Sequence, residues 1–155
     1  MPWAEFKKLA LEVSGLYNLN WLETEYRHTI ATANMAAKWE DFKRNVDLYP
    51  NLRYEAVNDK RTRDKHRELD GLVAPLNHPI WKKIYPPLDF GCRCNATQTD
   101  DDVSKDLTDP KIKDGFENNA AISGKVFGEI PYEKSLGDSA IAEANANFKK
   151  FRGAA

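Results

Sequence analysis

The chain has 155 residues, which is enough for one domain with a proper core and short for two independent cores. Its 23 Lys and Arg residues nearly balance its 24 Asp and Glu residues, so no overall field attracts nucleic acid or an anionic membrane. No run of about 18 apolar residues and no signal-peptide pattern is present, and we therefore expect a cytosolic protein without a membrane partner.

Two helices are predicted at the N-terminal end. Residues 2–17 place apolar side chains at helical spacing behind Pro2, which suits a first helical position. Residues 21–48 contain no Gly or Pro, and Asn20 with Glu23 three residues later has the spacing of a capping box. The apolar residues of this segment form a wide stripe, which predicts one long helix that packs on more than one neighbour.

The pattern changes after Pro50 to that of a small antiparallel sheet. The stretch "NLRYEAVND" alternates apolar and polar side chains, which predicts a strand with one buried face. Residues 72–75 and the stretch "CRCNATQT" predict two further strands, separated by a helical turn around Trp81. Helices followed by a small sheet indicate the α+β class.

The C-terminal third differs in composition from the rest of the chain. Residues 101–155 begin with the polar, acidic stretch "DDVSKDLTDP" and are predicted to be a linker and C-terminal extension. A helical stretch is expected from Ser139 to Phe151. The predicted domain therefore comprises residues 1–100, with an irregular and partly helical tail behind it.

Both cysteines lie in the stretch "PPLDFGCRC", where they could bind a metal, form a disulfide or pack. A disulfide would close a very short, strained loop and is the least favoured of the three. Zinc accepts imidazole, carboxylate and thiolate ligands, so His66, Asp89, Cys92 and Cys94 form a candidate site. Its spacing is unusual for zinc, which favours the interpretation that the cysteines are small core residues and that His66 is hydrogen-bonded.

The charged stretch "NDKRTRDKHRELDG" is a second candidate site. His66 with Arg61 or Arg63 could perform acid–base chemistry on a bound phosphate, as in a barnase-like ribonuclease or toxin-type enzyme. The interleaved opposite charges favour a solvated loop instead. A third histidine, His28 on the long predicted helix, is interpreted as a surface or capping residue.

Three stretches in sequence order resemble a known family: "YRHTIATANMAAKW", "DKRTRDKHRELDGLV" and "HPIWKKIYPPLDFGCRC". The family is that of the phage Mu F-like minor head proteins, or phage head morphogenesis domain. The resemblance covers roughly residues 20–97, and its combination of "RT", "LDG" and a "PP" followed by "CRC" is specific. It implies a minor head component of a tailed phage or prophage that acts in head morphogenesis, portal association or DNA packaging and delivery.

The resemblance also implies partners and a location. The expected partners are phage portal and capsid proteins, with packaged DNA as a further one and no small-molecule substrate. The expected location is the bacterial cytoplasm during assembly and then the virion head. Many members carry "RTCxxC" and "PPxHxxCRC", a pattern suggestive of a metal, but the first cysteine is Arg63 here. We therefore expect no cofactor and keep zinc as the alternative.

These observations predict a structural cluster rather than a catalytic site. The glycine and prolines shape a rigid loop, Arg93 pairs with a carboxylate such as that of Asp70, and the cysteines hold the third strand to the "LDG" turn. An enzyme is the weaker hypothesis because no second catalytic residue is evident, and the near-zero net charge disfavours a DNA-binding module. The predicted cluster comprises His66, Asp70, Gly71, Pro87, Cys92, Arg93 and Cys94.

Overall fold

The two predicted N-terminal helices are present in the computed structural model, which describes residues 2–13, 19–107, 110–128 and 146. Helix α1 spans Trp3–Val13 and helix α2 spans Leu19–Arg44. Helix α2 thus begins two residues before the predicted start and ends four before the predicted end, because residues 45–48 form a turn. The predicted end of the first helix, residues 14–17, lies outside the described residues.

Aromatic side chains pack the two helices against each other near their N-terminal ends. The ring of Tyr26 on α2 lies 5.2 Å from that of Trp3 and 5.0 Å from that of Phe6, both on α1. Such ring contacts add to the stabilisation that comes from burying apolar area. The beginning of α2 is therefore covered by α1, and not by the sheet.

A three-stranded antiparallel sheet follows, as predicted, and confirms the α+β class. Its strands are β1 (Asn51–Glu55), β2 (Val73–Pro75) and β3 (Asn95–Thr99), in the spatial order β2-β1-β3. In the central strand β1, Leu52 and Tyr54 are buried and their neighbours are half-buried, so the predicted alternation is confirmed. The third strand was predicted to include the cysteines, and this was wrong.

Cys92 and Cys94 lie in the loop before β3 because the chain turns sharply there. The amide of Cys92 donates a hydrogen bond to the carbonyl of Asp89, and Gly91 within this turn has a φ of 67°. Glycine adopts positive φ more readily than other residues, so the turn lies directly ahead of the cysteines, which continue the loop to β3.

Three short helices complete the described structure: α3 (Asp64–Arg67), α4 (Trp81–Ile84) and α5 (Ala120–Ser123). The first two confirm the predicted charged turn and helical turn, whereas α5 was not predicted. The indole nitrogen of Trp81 on α4 donates to the carbonyl of Pro75, 3.0 Å away, which fixes α4 against the end of β2. Of the helix predicted from Ser139 to Phe151, the structure describes residue 146 alone.

One hydrophobic core joins the second half of α2, the sheet and α4. The hydroxyl of Tyr85 donates to the carbonyl of Met35 across 2.8 Å and so connects the segment after α4 to α2. Ile112 and Phe116, from the segment predicted as a linker, also belong to this core. The domain boundary at residue 100 stays a prediction, but residues beyond it contribute to packing.

Within the described part of the chain, no helix has the length and apolarity needed to cross a membrane.

Candidate functional site

His66 and the two cysteines come together at one end of the core. The Nδ1 atom of His66 lies 3.6 Å from Sγ of Cys92 and 3.6 Å from Sγ of Cys94. The three atoms all lie within 4.8 Å of one another. His66 is only 6% exposed, whereas both cysteines are half-buried and not joined by a disulfide. We call these three residues the His–Cys–Cys cluster.

Two local structures position the cluster. Helix α3 is a single turn in which the amide of His66 donates to the carbonyl of Arg63, and this turn directs His66 inward. The cysteines lie on the loop that follows Gly91, downstream of a cis Pro86–Pro87 peptide bond. The sequence predicted both segments, and the fold brings them into contact although they are separated by 26 to 28 positions.

The two thiols differ in their electrostatic environment. A hydrogen bond with Cys92 lowers the pKa of Cys94 to about 4, and His66 and Tyr54 act in the same direction while burial opposes them. The same hydrogen bond and burial raise the pKa of Cys92. The environment therefore favours the thiolate form at Cys94 and the thiol form at Cys92.

Tyr54 lies behind the cluster and is fully buried. Its hydroxyl forms no hydrogen bond of normal geometry among the described residues. Burial is the main cause that raises the pKa of the Tyr54 hydroxyl, and the interaction of this hydroxyl with Cys94 raises the pKa further. A buried hydroxyl without a partner is unusual in a folded protein. The hydrogen-bonding capacity of the Tyr54 hydroxyl, next to Cys94, is therefore not fully used.

Asp89 was predicted as a fourth metal ligand, and the structure does not place it in the cluster. One oxygen of its carboxylate lies 3.2 Å from Nε of Arg63, and the other lies 3.2 Å from Nζ of Lys113. Since two cations and the amide of Phe90 already occupy this carboxylate, it is directed away from the thiols. The structure thus assembles three of the four predicted ligands.

Arg93 pairs with a carboxylate, as predicted, but not with that of Asp70. Arg93 instead forms a two-pronged ion pair with Asp59, with both nitrogen–oxygen distances 2.7 Å. Asp70 accepts hydrogen bonds from the amide of Ala56 and from the side chain of Asn58. Both Asp70 oxygens are therefore used at the end of β1, where they hold that strand to the "LDG" turn.

Arginines and the His–Cys–Cys cluster line one small cavity. Among the described residues, its lining contains no carboxylate. Arg63, one of the two arginines of the ribonuclease hypothesis, is held by Asp89 and by the carbonyl of Phe90. Arg61 lines the cavity, and Nδ1 of His66 faces the sulfur atoms of both cysteines. The lining residues are Val57, Arg61, Thr62, Arg63, His66, Gly91, Cys92, Arg93 and Cys94.

The interpretation of His28 as a surface or capping residue was wrong. Its side chain is only 4% exposed and stacks on Phe127, with 4.8 Å between ring centroids and 9° between planes. Phe90 and Phe116 contact the same ring edge-on. Burial lowers the pKa of His28, and the charge of Asp89 opposes this effect. The local sequence gave no signal of this packing because the three phenylalanines come from distant segments.

Comparison with known proteins gives a consistent result. A family model described as Phage Mu protein F like protein matches residues 4–97. The Mu-like prophage FluMu F protein of Haemophilus influenzae is 47% identical over 75 residues, or 48% of this chain. The putative capsid assembly protein F of Escherichia phage Mu is 37% identical over 75 residues, again 48% of the chain. An uncharacterized protein of Methanocaldococcus jannaschii is 30% identical over 96 residues, or 61% of the chain.

These relatives are much longer than the matched segment. The similar regions cover 18%, 17% and 14% of the Haemophilus, phage Mu and Methanocaldococcus proteins, respectively. No solved structure shows significant similarity to the chain.

Proposed function

The chain belongs to the Phage Mu protein F like family, and on this premise we propose that it is a structural and interaction component of phage head assembly. The observation that carries the proposal is the family match over residues 4–97, together with a similar phage Mu protein whose name is putative capsid assembly protein F. The proposed location is the bacterial cytoplasm during assembly, followed by the virion head.

The geometry of the candidate site supports a structural role. Arg63 and Arg93, which could otherwise bind phosphate, are each held by a carboxylate of the same chain. Asp70 likewise holds the end of β1. These contacts fasten the loops around the sheet and leave Arg61 as the cavity arginine for which no such contact is described. A rigid scaffold of this kind suits a protein that presents a surface to partners.

We propose portal and capsid proteins as the partners, and α2 as the helix that contacts them. Trp21, near the start of α2, is 74% exposed, although tryptophan is among the residues that contribute most to protein interfaces. Glu23 and Arg27 form an ion pair on the turns of the helix that follow Trp21. Aromatic side chains such as that of Trp21 are enriched in protein interfaces. Packaged DNA is a weaker candidate, because the net charge of −1 provides little attraction for phosphate.

The experiment is co-expression with the portal and major capsid proteins of the same phage, followed by purification of head assemblies. We expect the wild-type chain to co-purify and Trp21→Ser to reduce its recovery at least about tenfold, as loss of an interface hot spot does. Ile122→Ser is the matched control, because Ile122 is 50% exposed on α5. Equal recovery of all three chains would exclude Trp21 as a contact. Absence of the wild-type chain from assembled heads would overturn the proposed function itself.

A further inference from the structure

We propose that His66, Cys92 and Cys94 bind one zinc ion in a site whose fourth position is open to a ligand from solution. The donor set is one imidazole nitrogen and two sulfurs, all of which are common zinc ligands. Three protein ligands with an open fourth position are the arrangement in which zinc retains an exchangeable water. This inference is independent of the proposed role in head assembly.

The distances in the cluster agree with tetrahedral zinc coordination. Zinc bonds of about 2.3 Å to sulfur and about 2.0–2.1 Å to nitrogen place a nitrogen and a sulfur about 3.6 Å apart at a tetrahedral angle. The distances from Nδ1 of His66 to the two sulfurs are 3.6 Å and 3.6 Å. Both nitrogen–sulfur separations therefore equal the separation that tetrahedral zinc requires, and the two sulfurs lie within 4.8 Å of each other.

The unsatisfied hydroxyl of Tyr54 is a second, independent observation. This hydroxyl is fully buried, makes no regular hydrogen bond among the described residues, and interacts with Cys94. A zinc-bound sulfur is a thiolate and accepts hydrogen bonds, so zinc would hold Cys94 in the form that can accept from the Tyr54 hydroxyl. Groups that hold a metal ligand from behind in this way are a regular part of zinc sites.

The fourth position is open because the nearest predicted ligand is engaged elsewhere. Asp89 is bound to Arg63 and Lys113, and no fourth ligand atom joins the cluster among the described residues. The cluster faces the cavity that Arg61 and Arg93 also line. Positive side chains beside an exchangeable position favour water or a small anion as the fourth ligand.

The first test is zinc binding by the full chain, freed of metal with a chelator, kept reduced and titrated against a chromophoric zinc chelator. We expect one zinc per chain. Cys92→Ser and Cys94→Ser should each weaken binding more than about 100-fold, which exceeds the effect of losing an outer partner. Asp102→Asn, a change at an exposed carboxylate, is the matched control and should bind zinc like the wild type. Substoichiometric binding by the wild type, or wild-type affinity in Cys94→Ser, would overturn the proposal.

Cobalt substitution tests the geometry without any variant and therefore does not depend on whether variants fold. We expect the cobalt-loaded wild-type chain to show the intense visible bands of four-coordinate cobalt and thiolate charge-transfer absorption. Addition of thiocyanate should shift the visible bands, because it exchanges at the open position. A spectrum that thiocyanate leaves unchanged would show a closed site, and the absence of thiolate absorption would exclude the cysteines as ligands.

Tyr54→Phe distinguishes a role of the Tyr54 hydroxyl in metal binding from a role in packing alone. Removal of an unsatisfied buried hydroxyl should leave the stability of the metal-free chain equal or higher. The same variant should bind zinc about 10-fold more weakly or worse, as is usual when a metal ligand loses its outer partner. Unchanged zinc affinity would exclude Tyr54 from the site, and lower metal-free stability would show that its hydroxyl has a structural partner instead.

Discussion

Nε of Arg63 lies 3.2 Å from Oδ2 of Asp89, so the residue just before α3 is bound to the loop that carries the cysteines. Lys113 contacts the other oxygen of the same carboxylate. One buried carboxylate therefore connects three segments that are distant in sequence. This arrangement explains why Asp89 does not join the His–Cys–Cys cluster.

The first prediction concerns the stability that this connection provides. Asp89→Asn removes two ion pairs but retains the side-chain volume, and we expect it to lower the free energy of unfolding by about 1–2 kcal/mol. Urea denaturation at neutral pH measures this difference. Asp102→Asn is the control, because Asp102 is exposed, and it should change stability by less than about 0.5 kcal/mol. Equal midpoints for the two variants would contradict the prediction.

The second prediction is a pH dependence of stability that comes from His28. Burial lowers the pKa of His28 in the folded chain, so the unfolded chain binds the proton more readily. The contribution of His28 to stability is complete above its ordinary pKa of about 6.5 and is lost as the pH falls towards the lower, folded pKa.

The measurement is urea denaturation of the wild type and His28→Phe between pH 7.5 and pH 5. Phenylalanine keeps an aromatic ring among Phe90, Phe116 and Phe127 but cannot be protonated. We expect the wild type to lose stability relative to His28→Phe as the pH falls through this range. The other two histidines are present in both chains, so parallel pH profiles would show that His28 does not titrate differently on unfolding.

The third prediction tests whether the segment beyond residue 100 belongs to the folded unit. Phe116 is 6% exposed and lies in the core cluster, and its ring contacts His28 and Phe90. We expect Phe116→Ala to lower the free energy of unfolding by about 3–5 kcal/mol, the usual effect of removing a buried aromatic side chain. Ile122→Ala, at an exposed position, should cost less than about 0.5 kcal/mol. A small effect at Phe116 would support the predicted domain boundary at residue 100.

The fourth prediction distinguishes a structural from a catalytic role of His66. Because this side chain is buried against two thiols, we expect His66→Ala to destabilise the chain by about 1–3 kcal/mol, with Cys92→Ser acting in the same direction. Thermal unfolding in the presence of a chelator measures this effect without a metal contribution. Unchanged melting temperatures in both variants would exclude the structural cluster.

Incubation of the same proteins with labelled RNA and DNA completes this test. We expect no cleavage by the wild type, with or without chelator, because the cavity beside His66 lacks a carboxylate partner among the described residues. Cleavage that His66→Ala removes would establish the ribonuclease hypothesis and overturn the structural interpretation.

The sequence by itself determined the secondary structure of the described residues up to position 100 to within a few positions. Helical spacing, a capping box and the absence of Gly and Pro predict α2, and the alternation of apolar residues predicts β1. These signals are local, because helix and strand place neighbouring side chains at fixed periods. The family resemblance was likewise carried by short stretches in a fixed order, and it was confirmed by the match over residues 4–97.

Tertiary structure alone decided how side chains from distant segments combine. Arg93 pairs with Asp59 instead of Asp70, and His28 is enclosed by phenylalanines that follow it by 62 to 99 positions in the numbering. Which of these contacts form depends on which loops meet once the core has packed. The periodicity of apolar residues in the sequence does not encode such contacts. The same reason explains the candidate site. The sequence named His66 and the cysteines, but only the fold placed their donor atoms together and turned Asp89 away.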